Sequence, residues 1–300
     1  MASCSSLLQA TRSRLLRVCY IPYRVPYDFG LRIQESLVQR RAESRSVLRK
    51  AGVQHATASL ADLPMDLHGH VRTARTDYLL LLEHTPVYTL GRRDDSAAIG
   101  AAMSAPNVDI FQTKRGGLLT YHGPGQLVGY PILDLGLLKL STRCYVATLQ
   151  DILRRSLANE AIQLATINSP SEDSKYTGVW TQPNRKIASI GVQVQHRVTS
   201  HGFSLNVHEE ALEGFRKVVA CGLPDVQLTC IDEQLSWLGR PNMHLSVMDV
   251  AKIVSDEFVK SLGYHIDTTN FADYESIEKS DGSHVLSKVL LEHVPIASTA

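Results

Sequence analysis

The sequence predicts an α+β domain in which helices flank a mixed, mostly antiparallel sheet. Three observations carry this. Helical periodicity marks residues 28–50 near one end and 246–262 near the other. Between them, residues 177–207 alternate as three strands joined by turns too short for any crossover, so those strands must run antiparallel. Tyr78-Leu-Leu-Leu-Leu82 is a short continuous apolar run, the pattern of a strand buried on both faces.

Residues 28–50 repeat Phe29, Ile33 and Leu37 at helical spacing, with Asp28 placed as the cap. Residues 51–75 show no period and read as a surface excursion. The strand at 78–82 is expected to resume at Val87-Tyr-Thr-Leu90 after Pro86 and to stop at Gly91. Another strand is expected over 127–133. Residues 141–162 place Val146, Leu149, Ile152, Leu153 and Leu157 on one helical face, capped by Ser141 or Thr142. A strand over 177–181 turns at Pro183-Asn184 into 186–195, which turns near His196-Arg197 into 198–207. Ser246-x-x-Asp249 opens the last helix and Gly263 ends it.

The chain has 300 residues, 44% of them apolar and 20% charged, enough for a substantial core. A net charge of +1 gives no reason to expect nucleic-acid binding, and no apolar run is long enough to cross a bilayer. Five cysteines, at 4, 19, 144, 221 and 230, include no Cys-x-x-Cys pair, so a disulfide framework and a zinc site are not expected. Reduced thiols are expected, with Cys144 packed on its helix. The first 27 residues hold no Asp or Glu but carry Arg12, Arg14, Arg17 and Arg24 among serines. That is the composition of an organelle transit peptide, with Leu7, Leu8, Leu15, Leu16 and Val18 as the apolar side of an amphipathic helix. The expected layout is a mitochondrial transit or disordered segment over 1–19, cleaved before Tyr20. One catalytic domain over 20–264 and a C-terminal tail over 265–300 follow it.

The densest functional signal is Arg115-Gly-Gly-Leu-Leu-Thr-Tyr-His122-Gly-Pro-Gly-Gln126, which puts four glycines and a proline beside His, Gln and Arg. Glycine is used where backbone approaches another group closely, so this segment reads as main chain laid against a ligand. For a nucleophile, Cys221 stands between Val218-Val-Ala220 and Gly222, where a strand end turns and backbone N–H groups can face an acyl oxygen. Cys230 lacks such a neighbour and reads as core. Lys186, at the start of a regular strand, and His122 are the candidate activators, with His84 and His201 behind them. No metal-ligand spacing and no phosphate-binding loop of the ATPase kind occurs.

Four segments together resemble one family: Leu82-Glu-His-Thr-Pro-Val-Tyr-Thr-Leu-Gly-Arg-Arg93, the 115–126 motif, Lys186-Ile-Ala-Ser-Ile-Gly191 and His201-Gly-Phe-Ser-Leu-Asn-Val207. With Ala220-Cys-Gly-Leu223 in the same order, the chain resembles the lipoyl(octanoyl) transferases over about residues 20–264. The resemblance implies the α/β module shared with biotin and lipoate protein ligases, no cofactor, and two-step octanoyl transfer. The octanoyl group would pass from acyl carrier protein to Cys221, then to a lysine of a lipoyl-domain protein. Such acceptors are the glycine cleavage H protein and 2-oxoacid dehydrogenase E2 subunits. It further implies that Lys186 lowers the thiol's pKa and shuttles protons. The substrate-binding residues it implies are Arg115, Gly116, Gly117, Leu118, Leu119, Thr120, Tyr121, His122, Ser189, Ile190, Gly191, Gly202, Phe203 and Ser204. Arg92, Arg93 and Lys114 could meet an acidic carrier. The sequence departs from the family pattern at Ala220, where Pro is usual, and at Thr229-Cys230, where Thr-Ser is usual. Two alternatives stand beside this reading: an ATP-dependent lipoate or biotin-type ligase, and a non-catalytic binder of lipoyl domains or carrier proteins.

Overall fold

The computed structural model describes residues 14–94, 108–167, 169–171, 173–217 and 226–266. In chain order its elements are β1 (Arg14–Val25), α1 (Tyr27–Lys50), α2 (Met65–Arg75), β2 (Asp77–His84), β3 (Val87–Leu90), β4 (Asp109–Gln112), β5 (Thr120–His122), β6 (Gln126–Ile132), α3 (Thr142–Leu157), β7 (Gly178–Gln182), β8 (Arg185–Gln195), β9 (Val198–Asn206), β10 (Gln227–Leu228), α4 (Ile231–Trp237), α5 (Val247–Leu262) and β11 (Tyr264–Ile266). The main sheet runs β10-β8-β9-β6-β2-β1-β11, with β7 also on β8. The β7-β8-β9-β6-β2 path is antiparallel, while β1 joins β2 and β11 in parallel and β10 joins β8 in parallel. The α+β reading holds.

Alternation along β2 explains its unbroken apolar run. Leu79 and Leu81 face a core shared with α3 and α5, whereas Tyr78, Leu80 and Leu82 face α1 through Phe29, Ile33 and Leu37. The last helix is built as read: Ser246 and Asp249 form a capping box, and Gly263 ends the helix at φ 66°. The β8–β9 hairpin turns on His196 and Arg197, both at positive φ.

Several expectations change. β1 begins at Arg14, and Leu16, Val18 and Cys19 are buried, so the domain reaches back past residue 20. Leu15, Leu16 and Val18 thus lie on a strand, not on an amphipathic helix; Leu7 and Leu8 fall outside the described residues. Residues 51–75 contain α2, which packs Val71 and Ala74 on Leu48; its many polar residues hide the period. β3 does not continue β2 but leaves the main sheet for a small one ordered β4-β3-β5. The cap of α1 is Pro26, with Asp28 inside the first turn, and α3 stops at Leu157, capped by Ser141. Cys19 and Cys230 are free thiols, as expected, and Cys144 packs against the core from α3.

Both faces meet at a buried ion pair between Arg41 of α1 and Asp77 of β2, 2.9 Å apart and 1% and 0% exposed. Asp77 also accepts from the Asp134 amide at 3.0 Å and the Tyr264 hydroxyl at 2.7 Å. Removing one partner of such a pair leaves a buried charge uncompensated. Arg41→Ala is expected to lower unfolding stability by about 3–5 kcal/mol, read from the urea midpoint. A loss below about 1 kcal/mol would show that the pair is dispensable.

Candidate active site

A cleft of about 590 Å³, counting its open mouth, lies where the 115–122 segment crosses β8, β9 and β6. The register of β8 with β9 sets Ser189 against Ser204, Ile190 against Phe203 and Gly191 against Gly202. Two triads far apart in sequence thereby form one floor. The loop is pinned to that floor by Gly116 N donating to Val192 O at 2.9 Å. A Cβ at Gly191 would stand 2.9 Å from Gly116 O and 3.1 Å from Arg115 Cδ, so glycine is what permits the crossing. Arg115 folds its guanidinium back over the loop, donating to Thr89 O at 2.7 Å, Thr89 Oγ1 at 2.9 Å, Gly116 O at 3.0 Å and Leu118 O at 3.1 Å. It shapes the loop from within while its side chain lines the cleft.

Lys186 lines the same cleft at only 2% exposure. It does not lie in solvent at the turn, because β7 covers it. Its Nζ sits 5.4 Å from the centroid of buried Trp180, and a Cβ at Gly178 would come within 2.4 Å of its Cε. The amine is thereby held at the wall of the cleft and not in solvent.

His122 is fixed by a chain of amides. Asn206 Nδ2 donates to Thr229 O at 3.0 Å, which leaves Asn206 Oδ1 to accept from Gln126 Nε2 at 2.9 Å. Gln126 Oε1 therefore faces His122 Nδ1 at 2.7 Å, making Nδ1 the donor and Nε2 the lone-pair nitrogen. Burial, and then the neighbouring His84, push the His122 pKa down to about 3. His84 donates from Nδ1 to Val25 O at 3.0 Å and accepts at Nε2 from the Tyr130 hydroxyl at 2.7 Å. Burial takes His84 down to about 4; burial, then Arg115, does the same to His201. All three imidazoles are neutral at pH 7, so the pocket offers acceptors and dipoles rather than histidine charge. Thr120 Oγ1, also at the cleft, is buried with no hydrogen-bond partner among the described residues.

Of the residues expected at the site, Arg115, Gly117, Leu118, Thr120, His122, Lys186 and both β8–β9 triads meet in this cleft. Gly116, Leu119 and Tyr121 do not line it. Gly116 bonds β8 from behind, and Leu119 and Tyr121 pack with Tyr88, Leu90 and Phe215 under the small sheet, since β5 points alternate residues to opposite sides. Cys221 and the segment around it lie outside the described residues. Cys230 is core, as read: its sulfur caps α4, accepting from Glu233 N at 3.4 Å, and burial raises its pKa to about 12. Sequence reasoning missed Tyr27, Tyr130, Lys175 and Thr177, which also line the cleft, and the Gly178 notch. Gly178, eight residues before a lysine at a strand end, offers no local signal for its role.

A mixed sheet with a buried lysine under a glycine-lined cleft defines a class of catalytic domain, and residues 63–259 match the lipoyl protein ligase A/B catalytic domain. The chain belongs to that family. Within it, the chain is similar to proteins named octanoyltransferase. It is 44% identical to one from Gloeobacter violaceus over 50% of this chain and 63% of that protein. It is 42% identical to one from Leifsonia xyli subsp. xyli over 64% of this chain and 82% of that protein. The chain spans 61–63% of the length of several of these curated relatives. Among solved structures it resembles lipoate-protein ligase A bound with ATP, with TM-score 0.53 at 13% identity, covering 89% and 92% of the two chains. A T. acidophilum protein of the lipoate protein ligase type with bound lipoic acid gives TM-score 0.52 at 14% identity, covering 94% and 95%. At these identities the structures show the fold alone.

Proposed function

We propose that this chain is an octanoyltransferase that moves an octanoyl group from octanoyl-acyl carrier protein to a lysine of lipoyl-domain proteins through a thioester on Cys221. The observation that carries the reading is Lys186, buried in the cleft shared by the 115–122 loop and the β8–β9 floor. The named relatives support it.

In the first step the Cys221 thiolate attacks the donor's thioester carbonyl. The bond from that carbon to the donor sulfur breaks, and the departing thiolate takes the proton that Lys186 removed from Cys221. In the second step the acceptor lysine's neutral amine attacks the enzyme thioester. The carbon–sulfur bond breaks, an amide forms, and the amine's proton returns through Lys186 to Cys221. A thioester is already activated, so no ATP is consumed. Acceptors of this kind are the H protein and E2 subunits. The acid-free N-terminal composition supports import into the mitochondrial matrix, with cleavage before the strand that begins at Arg14. N-terminal sequencing of protein recovered from mitochondria checks this, and an intact Met1 would exclude it.

The transfer reading is tested by incubating the chain with octanoyl-acyl carrier protein and measuring intact mass. One octanoyl group is expected on the wild type and on Cys230→Ser, and none on Cys221→Ser. The ligase name of the matching catalytic domain favours a second reading, an ATP-dependent ligase. Acceptor octanoylation from free octanoate and ATP, with no carrier-derived adduct, would establish that one instead.

A further inference from the structure

A second cleft, of about 1840 Å³ counting its open mouth, opens between α1 and the β8–β9 hairpin. It starts beside the first, since His201 lines both and Lys114 on its wall adjoins Arg115. From there it follows one face of α1, where Leu31, Gln34, Val38, Ala42, Arg45 and Arg49 recur every three or four residues. Leu31 to Arg49 spans about 27 Å along the helix axis. The cleft is therefore long, and one end of it adjoins the pocket that holds Lys186.

Its walls ask for a particular chemistry. Gln34 is 1% exposed; its Oε1 accepts from His201 N at 2.7 Å, while its Nε2 is buried with no partner among the described residues. A buried amide donor left unpaired is costly, and at a cleft wall it suits an incoming carbonyl. Three cations line the cleft, Arg45, Arg49 and Lys114, against one carboxylate, Glu35, with His196 at the hairpin tip. Arg45 is held by Asp134 and by His196 O, which leaves the exposed Arg49 and Lys114 as the groups facing solvent anions. A ligand that fits is a long flexible chain carrying amide carbonyls and an anionic group.

We propose that this cleft holds the phosphopantetheine arm of the acyl donor. Gln34 Nε2 donates to an amide carbonyl of the arm, Arg49 at the far end of the cleft holds its phosphodiester, and the thioester end passes Lys114 and His201 into the first pocket. This rests on the carrier-thioester reading above.

Calorimetric titration of the full chain with phosphopantetheine, and separately with pantetheine, tests it. Phosphopantetheine is expected to bind the wild type and to bind Arg49→Glu at least about tenfold more weakly, as charge-assisted bonds to phosphate are lost. Lys252→Glu, an exposed position on α5, is expected to bind as the wild type does, and pantetheine, lacking the phosphate, to show no such difference. Arg49→Glu should raise KM for octanoyl-acyl carrier protein while leaving kcat and the acceptor's KM in place. No binding to the wild type, or equal binding by Arg49→Glu, overturns the proposal. A KM rise for the lipoyl-domain acceptor instead would assign the cleft to the acceptor and overturn it as well. Arm binding without an adduct on Cys221 would retain this site and remove the transfer reading; an adduct with unchanged arm binding would remove this site alone.

Discussion

Lys186→Met is expected to lower octanoyl transfer by roughly 10²–10⁴-fold, the usual worth of a positioned proton-transfer group, with the fold intact. Methionine is a good probe because it nearly matches the length of the lysine stem and suits the apolar wall made by Trp180. The loss of rate is therefore chemical and not a packing defect. A second measurement separates proton transfer from mere space-filling: the pH dependence of Cys221 alkylation by iodoacetamide. On the proposed mechanism the thiolate would lose the cation that favours it, and the alkylation midpoint should move to higher pH. A rate within tenfold of wild type and an unmoved midpoint would remove Lys186 from the mechanism. Gly178→Ala provides the steric counterpart. Its new Cβ would stand 2.4 Å from Lys186 Cε and 2.5 Å from Ala188 O, so either the amine or β7 must move. Transfer should fall while Lys186 itself is still present.

Features of the fold that rest on local chemistry could be read directly from sequence. The α5 helix announces both ends, through the Ser246–Asp249 capping box and Gly263, and its bounds came out within a residue. The β8–β9 hairpin follows from alternation and a two-residue turn. What escaped depends on contacts distant in sequence. β1 carries Arg14 and Arg17 among its apolar residues, and only its parallel neighbours β2 and β11 make it a core strand. β3 could as well have extended β2; its place in a separate sheet is decided by pairing with β4 and β5. The site divides in the same way. Glycines around a Thr-Tyr-His segment mark close backbone approach in the sequence itself, and the β8–β9 register then brings both triads to it. The Asn206–Gln126–His122 relay, the Gly178 notch and the Gln34 donor are tertiary, since none of them is defined until the strands and α1 are assembled.

The same buried histidines that shape the pocket should make the protein sensitive to acid. His84, His122 and His201 have folded pKa values of about 4, 3 and 4, each lowered first of all by burial, against about 6.5 in an unfolded chain. Below pH 6.5 the unfolded chain thus binds up to three more protons than the folded one, and stability falls as pH falls. Each histidine contributes up to about 1.4 kcal/mol per pH unit, so from pH 7 to pH 5 the three together remove roughly 5 kcal/mol. A domain's whole stability is about 5–15 kcal/mol, so much of it would be gone by pH 5. Urea midpoints at pH 7, 6 and 5 should fall steeply in that order. His84→Gln, which cannot titrate, should reduce the slope by about a third even if it lowers stability at pH 7 by breaking the contact with Tyr130. Midpoints that stay level between pH 7 and pH 5 would mean that the imidazoles reach protons without unfolding. The neutral Nε2 of His122 would then be an accessible base and not a fixed acceptor.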